Sequence, residues 1–181
     1  MDKRVERTQK LLLQSLMMFN LKNKNFYEIS IRDLCEQAGI ARQTFYRNYL
    51  VKEDIIIRQI SNVMSDFKSV LKQQSFNASG FIQLLIQFWK QNQQTFALIE
   101  WAGISNEFIR QLANFNKLVM EQHKAFGKNS EYIANYYAGA TYMFLKTFME
   151  KNDFSQEAYA KGAAVYNQLT NQCKGLFEPL N

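Results

Sequence analysis

Apolar residues recur every three or four positions along most of the chain, and this spacing is the period of an α-helix. The first helix is predicted from one apolar stripe near the start of the chain, formed by Val5, Thr8, Leu12, Leu16 and Phe19. A polar segment at positions 22–25 ends this helix.

Two short helices are predicted next. Ser30 begins the first of them, with Asp33 three residues later in the pattern of a capping box, and Gly39 ends it. The other covers positions 41–49, after a bend of two or three residues that contains the glycine. This spacing is that of a helix-turn-helix.

The third helix has two different faces. At 100° per residue, Phe45 and Tyr49 fall on the same face and are expected to pack inward. The opposite face and its edges are polar and consist of Arg42, Gln43, Thr44, Tyr46 and Arg47. Such side chains can donate hydrogen bonds to base edges and phosphates. The alternative is a solvated polar face without function, because short amphipathic segments are common.

Six further helical segments are predicted in the rest of the chain. They are a linker helix over 52–73, a helix from Ser79, a short segment ended by Gly103, a helix over 105–125, one from Ser130, and a last one after the break at 151–155. The helix from Ser130 is expected to place in phase Ile133, Tyr136, Tyr137, Ala140, Met143, Phe144 and Phe148. Gly139 and Gly162 are expected to permit close helix–helix contact.

The composition agrees with an all-α fold, because one proline and seven glycines in 181 residues leave few chain breakers. We expect an N-terminal three-helix helix-turn-helix domain over 1–51 and a C-terminal helical bundle over 52–181. The first sixty residues carry eleven Lys or Arg against seven Asp or Glu, out of a net charge of +6 for the whole chain. This excess suits an anionic partner, although many proteins share it.

Several classes of function find no support in the sequence. Cys35 and Cys173 are far apart and His123 is the only histidine, so we expect neither a disulfide framework nor an ordinary zinc site. A nucleotide-binding glycine motif and a Ser/His/Asp-like set are both missing, so we expect no enzyme and no cofactor. No run of 18 apolar residues is present, and we expect a cytoplasmic protein without a membrane partner.

The segment from Ser30 to Ile55 combines many residues at fixed offsets. A hydroxyl residue opens the second helix, Ala-Gly-aliphatic forms the turn, and Thr-aromatic-Tyr, an aromatic residue and Lys-Glu-acid-aliphatic follow. The corresponding residues are Ser30, Ala38-Gly39-Ile40, Thr44-Phe45-Tyr46, Tyr49 and Lys52-Glu53-Asp54-Ile55. This pattern resembles the DNA-binding segment of the tetracycline-repressor (TetR) family, and the resemblance covers residues 5–60.

The resemblance implies roles for individual residues. It places Arg42, Gln43 and Arg47 near bases, and Thr44 and Tyr46 at phosphates. Lys52 resembles the family's phosphate-binding lysine, and Ser30 can support a phosphate at the N-terminus of the second helix. The chain departs from the family at Ala41, where a capping Ser or Thr is common, and at Gln43, which replaces a frequent small residue.

In the TetR family the last two helices commonly form a four-helix dimer interface, and the last two helices here resemble that arrangement. The residues expected at the interface are Tyr137, Ala140, Phe144, Phe148, Tyr159, Ala163 and Tyr166. A two-fold dimer would contact two half-sites of DNA. The alternative is burial of these residues within one chain.

A ligand cavity of the family's kind would be surrounded by Phe88, Trp89, Phe96, Trp101, Phe115, Met120 and His123. An aromatic stripe at helical spacing is also typical of a plain core, and His123 can equally lie at the surface.

The sequence therefore predicts a dimeric, ligand-responsive repressor that binds double-stranded DNA at a palindromic operator, with a possible small-molecule effector. The alternative is a coactivator on the same scaffold that binds a protein partner and has lost operator recognition.

Overall fold

The computed structural model describes residues 3–73, 78–122 and 129–172. In these ranges the chain forms helices and no strand, so the prediction of an all-α fold is confirmed there. The helices are α1 (Lys3–Leu21), α2 (Ile31–Ala38), α3 (Arg42–Tyr46), α4 (Glu53–Gln73), α5 (Ala78–Gln91), α6 (Gln93–Trp101), α7 (Ser105–Gln122), α8 (Ser130–Lys151) and α9 (Gln156–Gln172). A short 3-10 helix, Phe26–Glu28, lies between α1 and α2.

The chain divides into two compact units. Unit one consists of Met1–Val63 and Gln94–Ser105, and unit two consists of Met64–Gln93 and Asn106–Asn181. Helix α4 is continuous, and its first half belongs to unit one while its second half belongs to unit two.

The core of unit one confirms the predicted inward faces of the first helices. Leu12, Leu16 and Phe19 of α1 are buried, as are Leu34 and Cys35 of α2. The 3-10 helix was not predicted, because the polar segment before it suggested only a break. Its first turn is stabilised by the Asn25 side chain, which accepts a hydrogen bond from the Tyr27 backbone N–H at 3.1 Å.

The core of unit two is built largely from aromatic rings. Trp89 of α5 is fully buried, with its ring centroid 4.6 Å from that of Phe108 of α7. A second cluster joins α5, α8 and α9, and its buried members are Ile82, Ile86, Phe148, Tyr159 and Ala163.

The residues of α8 that the sequence places in phase do not all lie on one side of the helix in the structure. The buried residues of α8 are Ala134, Ala138, Thr141, Tyr142, Leu145 and Phe148. Tyr136, Ala140 and Met143 are instead exposed, while Ile133, Tyr137 and Phe144 are half-buried. On α9, Leu169 is exposed as well. Helix α8 is apolar on more than one side, so helical spacing alone could not identify the side that packs inward.

Two helix boundaries also differ from the prediction. Helix α3 covers Arg42–Tyr46 rather than 41–49, and the backbone N–H of Asn48 bonds to the Phe45 carbonyl in a tighter final turn, at 2.8 Å. Between α5 and α6 only Asn92 lies outside a helix. The Asn92 side chain donates to the Phe88 carbonyl at 2.9 Å and thereby ends α5.

Gly162 allows α9 to approach its neighbours closely, as predicted. A Cβ atom at this position would lie 3.0 Å from Phe148 Cε2 and 3.4 Å from Ile86 Cδ1. At Gly139, by contrast, nothing in the described structure lies within 4 Å of such an atom.

We predict that Gly162→Val lowers the free energy of unfolding by about 1–3 kcal/mol, because the added methyl groups overpack the contact with Phe148. The matched control is Ala160→Val, at an exposed position of the same helix, for which we expect a loss of about 0.5 kcal/mol or less. Urea unfolding followed by circular dichroism measures both. Equal losses in the two variants would contradict the close contact.

Candidate nucleic-acid interface

The N-terminus of α2 is closed by the predicted capping box. Ser30 Oγ accepts a hydrogen bond from the Asp33 backbone N–H at 3.1 Å, and the Asp33 carboxylate accepts one from the Ser30 backbone N–H at 3.2 Å. Ser30 Oγ also donates to the same carboxylate at 2.7 Å. These hydrogen bonds hold the pKa of Asp33 below its ordinary value, and they fix the start of the first helix of the helix-turn-helix.

The turn between α2 and α3 depends on the backbone of Gly39. Its φ of +64° lies in the left-handed region, which a residue with a Cβ adopts only at a cost. In this conformation the backbone N–H of Ile40 bonds to the Cys35 carbonyl at 3.0 Å, so that α2 ends and the chain reverses direction. Ala41 then begins α3 without a side-chain cap, as the sequence indicated.

Helix α3 presents the two faces that its sequence predicts. Phe45 is fully buried and Tyr49, just beyond the helix, is 4% exposed, with their ring centroids 5.7 Å apart. The polar side chains that lie exposed are those of Arg42, Gln43, Tyr46 and Arg47. Thr44 is half-buried, and its carbonyl accepts a hydrogen bond from the Asn48 side chain at 2.8 Å. The structure therefore brings five of the predicted DNA-contacting residues together on one short segment.

Lys52 forms hydrogen bonds within the chain that the sequence did not predict. Its ammonium group donates to the carbonyls of Phe26 and Ile29, at 2.6 Å and 2.7 Å, and lies 4.5 Å from the centroid of the Phe26 ring. Burial lowers the pKa of Lys52, and the neighbouring Glu53 opposes this shift. Two of its three N–H donors are thus used within the chain, and Lys52 ties the start of α4 to the segment before α2.

The segment before α2 also contacts the end of α6, and the sequence did not predict these contacts. The indole N–H of Trp101 at the end of α6 donates to the Lys24 carbonyl at 2.8 Å, and its ring packs edge-on against Phe26 at 5.0 Å. The Tyr27 hydroxyl donates to the Ala102 carbonyl at 3.4 Å. These partners are more than seventy positions apart in the sequence, so no local signal could have paired them.

An open groove of about 490 Å³ lies beside the C-terminal end of α3. Its lining includes Tyr46 and Arg47 from the exposed face, together with Arg58 and Ser61 of α4. The guanidinium of Arg58 lies 5.9 Å from the centroid of the Tyr49 ring. Arg58 was not singled out from the sequence, because only the fold brings α4 beside α3.

The residues predicted to surround a ligand cavity are divided between the two units. Phe96 and Trp101 belong to unit one, whereas Phe88, Trp89, Phe115 and Met120 belong to unit two. In unit two, Phe67 packs against Phe88 at 4.9 Å and against Phe115 at 6.1 Å between ring centroids. His123 lies outside the described residues, as does Cys173. The ligand cavity stays a prediction.

The residues predicted at a dimer interface divide into two groups. Phe148, Tyr159 and Ala163 are buried within unit two, and the hydroxyl of Tyr166 lies 3.1 Å from that of Thr141. Ala140 is exposed, and Tyr137 and Phe144 are half-buried. The interface itself stays a prediction.

The described ranges contain no candidate membrane span and no candidate metal site. No helix there is long and apolar enough to cross a membrane. No group of three or more His, Cys, Asp or Glu side chains there could hold a metal ion.

Comparison with known proteins shows the fold. No protein-family model matches the chain, and no curated protein matches it. A solved structure, Lin0861 from Listeria innocua, is similar with a TM-score of 0.84 and 24% sequence identity over 94% of each chain. The dihydroxyacetone kinase operon activator DhaS is similar with a TM-score of 0.56 and 20% identity, over 95% of this chain and 98% of that one. The chain thus shares its all-helical fold with these two proteins.

We predict that Lys52→Met lowers the free energy of unfolding by about 1–2 kcal/mol, because two backbone carbonyls lose their donor while the apolar stem is kept. Lys10→Met, at an exposed position of α1, is the control and should change stability by about 0.5 kcal/mol or less. Urea titrations of both variants test this, and identical midpoints would show that the two hydrogen bonds do not stabilise the fold.

Proposed function

We propose that this protein is a transcriptional regulator that binds double-stranded DNA through α3. The observation that carries the proposal is the orientation of this segment, with Phe45 and Tyr49 buried and Gln43, Tyr46 and Arg47 exposed after a glycine turn. A helix-turn-helix places such side chains in the major groove, where Arg and Gln can form paired hydrogen bonds with guanine and adenine.

We further propose that the chain is a TetR-like regulator. The motif between Ser30 and Ile55 supports this, and so does the fold shared with a protein named as the activator of a dihydroxyacetone kinase operon. The domain boundaries that go with this proposal are a DNA-binding domain over 1–51 and an effector and dimerisation domain over 52–181.

The proposed contacts differ in kind along the segment. Gln43 and Arg47 would contact bases, with Arg42 beside them, whereas Thr44 and Tyr46 would hold phosphates. At the N-terminus of α2 the Ser30 hydroxyl is already bonded to the Asp33 carboxylate, so a phosphate there would approach a negative charge. The proposed role of Ser30 is therefore to fix the helix end at which the backbone N–H groups point outward.

Lys52 has one N–H donor beyond the two that bond to carbonyls. This remaining donor can bond to a phosphate while the other two hold the segment before α2.

We propose that two copies of the chain associate through α8 and α9. Tyr132 and Tyr136 of α8 are 80% and 59% exposed, and Met143 continues the same helical stripe. Val165 and Leu169 of α9 are exposed as well. Gly139 lies near this stripe with open space around it, which leaves room for the backbone of a second chain. Apolar surface of this kind is typical of an interface.

We also propose that the protein is a repressor whose DNA binding responds to an effector. An effector bound to the C-terminal domain would favour the state in which the two recognition helices no longer match the two half-sites. A reversal of populations from 1:99 to 99:1 requires an affinity difference of about 5.5 kcal/mol between the two states.

Selection from a pool of random DNA duplexes tests DNA binding directly. We expect the full-length protein to enrich sequences with two half-sites related by two-fold symmetry. Binding of all duplexes alike at low salt, or of none, would contradict operator recognition.

For the selected DNA, we predict that Gln43→Ala and Arg47→Ala each reduce discrimination against single-base changes by about 1–3 kcal/mol, because each removes a base contact. Tyr46→Phe is expected to weaken all sequences by a similar factor, because a phosphate contact carries no sequence information. Arg110→Ala, an exposed arginine of α7, controls for the loss of one positive charge. Gel-shift titrations measure these changes, and base preferences that are unchanged in both alanine variants would contradict the assignments.

We predict that Tyr136→Glu and Met143→Glu each convert a dimer into a 21.3 kDa monomer, because a carboxylate would be buried without a partner at the interface. Leu21→Glu, at an 80% exposed position of α1, should leave the dimer intact. Sedimentation velocity distinguishes these outcomes. Dimers in both α8 variants would show that this stripe is not the interface.

A second candidate function is a coactivator that binds a protein partner. Leu50 and Val51, which directly follow residues 42–49, are 82% and 47% exposed. Apolar side chains at this turn would suit a protein surface better than DNA phosphates. Two results together would favour this function. The protein would bind no duplex at low salt, and it would bind a protein partner that Leu50→Asp no longer binds.

A further inference from the structure

We propose that Gln9 of α1 is a positioning residue that fixes the orientation of the recognition segment, residues 42–49. Gln9 is a polar side chain in the core of unit one, with only 6% of its surface exposed. Its side-chain amide bonds to two other parts of the unit. The Tyr49 hydroxyl donates to Gln9 Oε1, and Gln9 Nε2 donates to the Ile55 carbonyl of α4 at 3.0 Å.

These hydrogen bonds matter because α3 is too short to hold its own position. It comprises five residues and lacks a side-chain cap at Ala41. Isolated helices of this length are not stable in water, so tertiary contacts must fix the segment. Phe45 supplies an apolar contact, but ring packing alone permits rotation and sliding. The hydrogen bond from Tyr49 supplies a directional one, three residues beyond the end of α3.

The chemistry of the amide matches both partners. The Tyr49 hydroxyl needs an acceptor, and the Ile55 carbonyl of α4 has a second lone pair that can accept from a side chain. A glutamine side chain provides one acceptor and one donor. Burial raises the pKa of Tyr49, with Arg58 opposing this shift and Asp54 adding to it, so the hydroxyl keeps its proton at neutral pH. A leucine would provide neither group, and an ionised glutamate would provide only acceptors.

The inference rests on the proposed function only where it predicts effects on DNA binding. A readout that needs no DNA is amide hydrogen exchange of residues 42–50 in the full-length protein, because local exchange reports how firmly a segment is held. We expect at least about fivefold faster exchange of this segment in Gln9→Leu and in Tyr49→Phe than in the unmodified protein. The rest of α1 should exchange at unchanged rates.

The matched control is Thr8→Val. Thr8 is buried next to Gln9, and its hydroxyl donates to the Arg4 carbonyl within α1 at 3.0 Å. This variant therefore removes a hydrogen bond from the same helix and leaves the hydrogen bonds of Gln9 to Tyr49 and Ile55 in place. Equal exchange of residues 42–50 in Thr8→Val and Gln9→Leu would overturn the proposal.

DNA binding provides the second readout. With the duplex selected by the unmodified protein, Gln9→Leu should bind about tenfold more weakly or worse and should discriminate less between that duplex and a scrambled one. If the unmodified protein selects no duplex, the proposed function fails while the exchange experiment still decides the role of Gln9.

Gln9→Glu separates positioning from the filling of space. The side chain keeps its shape, and its neutral carboxyl can still donate to Ile55 and accept from Tyr49, whereas the ionised form cannot donate. At each pH the reference is the unmodified protein. Relative to it, the exchange protection and the DNA affinity of this variant should recover as the pH falls and the carboxyl is protonated. The nearby charges of Arg58 and Asp54 are the same in both proteins. If the exchange protection of Gln9→Glu equals that of the unmodified protein at every pH, the proposal is overturned.

Discussion

The orientation of α3 depends on the burial of two aromatic side chains at the core of unit one. Phe45 and Tyr49 lie on the same side of the segment, and their burial forces Gln43 and Arg47 to the opposite side. Because α3 has only five residues, this packing and the hydrogen bond from Tyr49 to Gln9 replace the stability that a longer helix would have by itself. Every proposed base contact depends on this arrangement.

The segment before α2 is fixed by elements that are distant in sequence. Lys52 bonds to the carbonyls of the first residue of the 3-10 helix and of the residue that follows it. Trp101 bonds to the carbonyl of Lys24 and packs on Phe26. Each hydrogen bond supplies a donor to a backbone carbonyl of the segment between α1 and α2. These hydrogen bonds from Lys52 at the start of α4 and from Trp101 at the end of α6 hold the segment that leads into α2.

The sequence predicted those features whose cause is local. Helical spacing identified the helices, the pair of Ser30 and Asp33 identified the capping box, and Gly39 identified the turn. The bonds of Lys52 could not be predicted, because their partners lie more than twenty positions away and are carbonyl groups that every residue type offers. The inward face of α8 could not be predicted either, because a helix that is apolar on two sides has no single stripe to identify.

Two features support the proposal that two copies of the chain associate through α8 and α9. They are the two apolar sides of α8 and the small size of α3. A segment that exposes Arg42, Gln43, Tyr46 and Arg47 can contact only a few base pairs, and so few contacts give little sequence discrimination. A second copy of the segment doubles the number of contacts, provided that the two copies are held at a fixed distance. The exposed side of α8 carries an apolar stripe of Tyr132, Tyr136 and Met143, and a second copy of α8 would remove that surface from water. The residue pattern that hid the inward face of α8 is therefore the pattern expected of a helix that packs against its own chain on one side and a partner on the other.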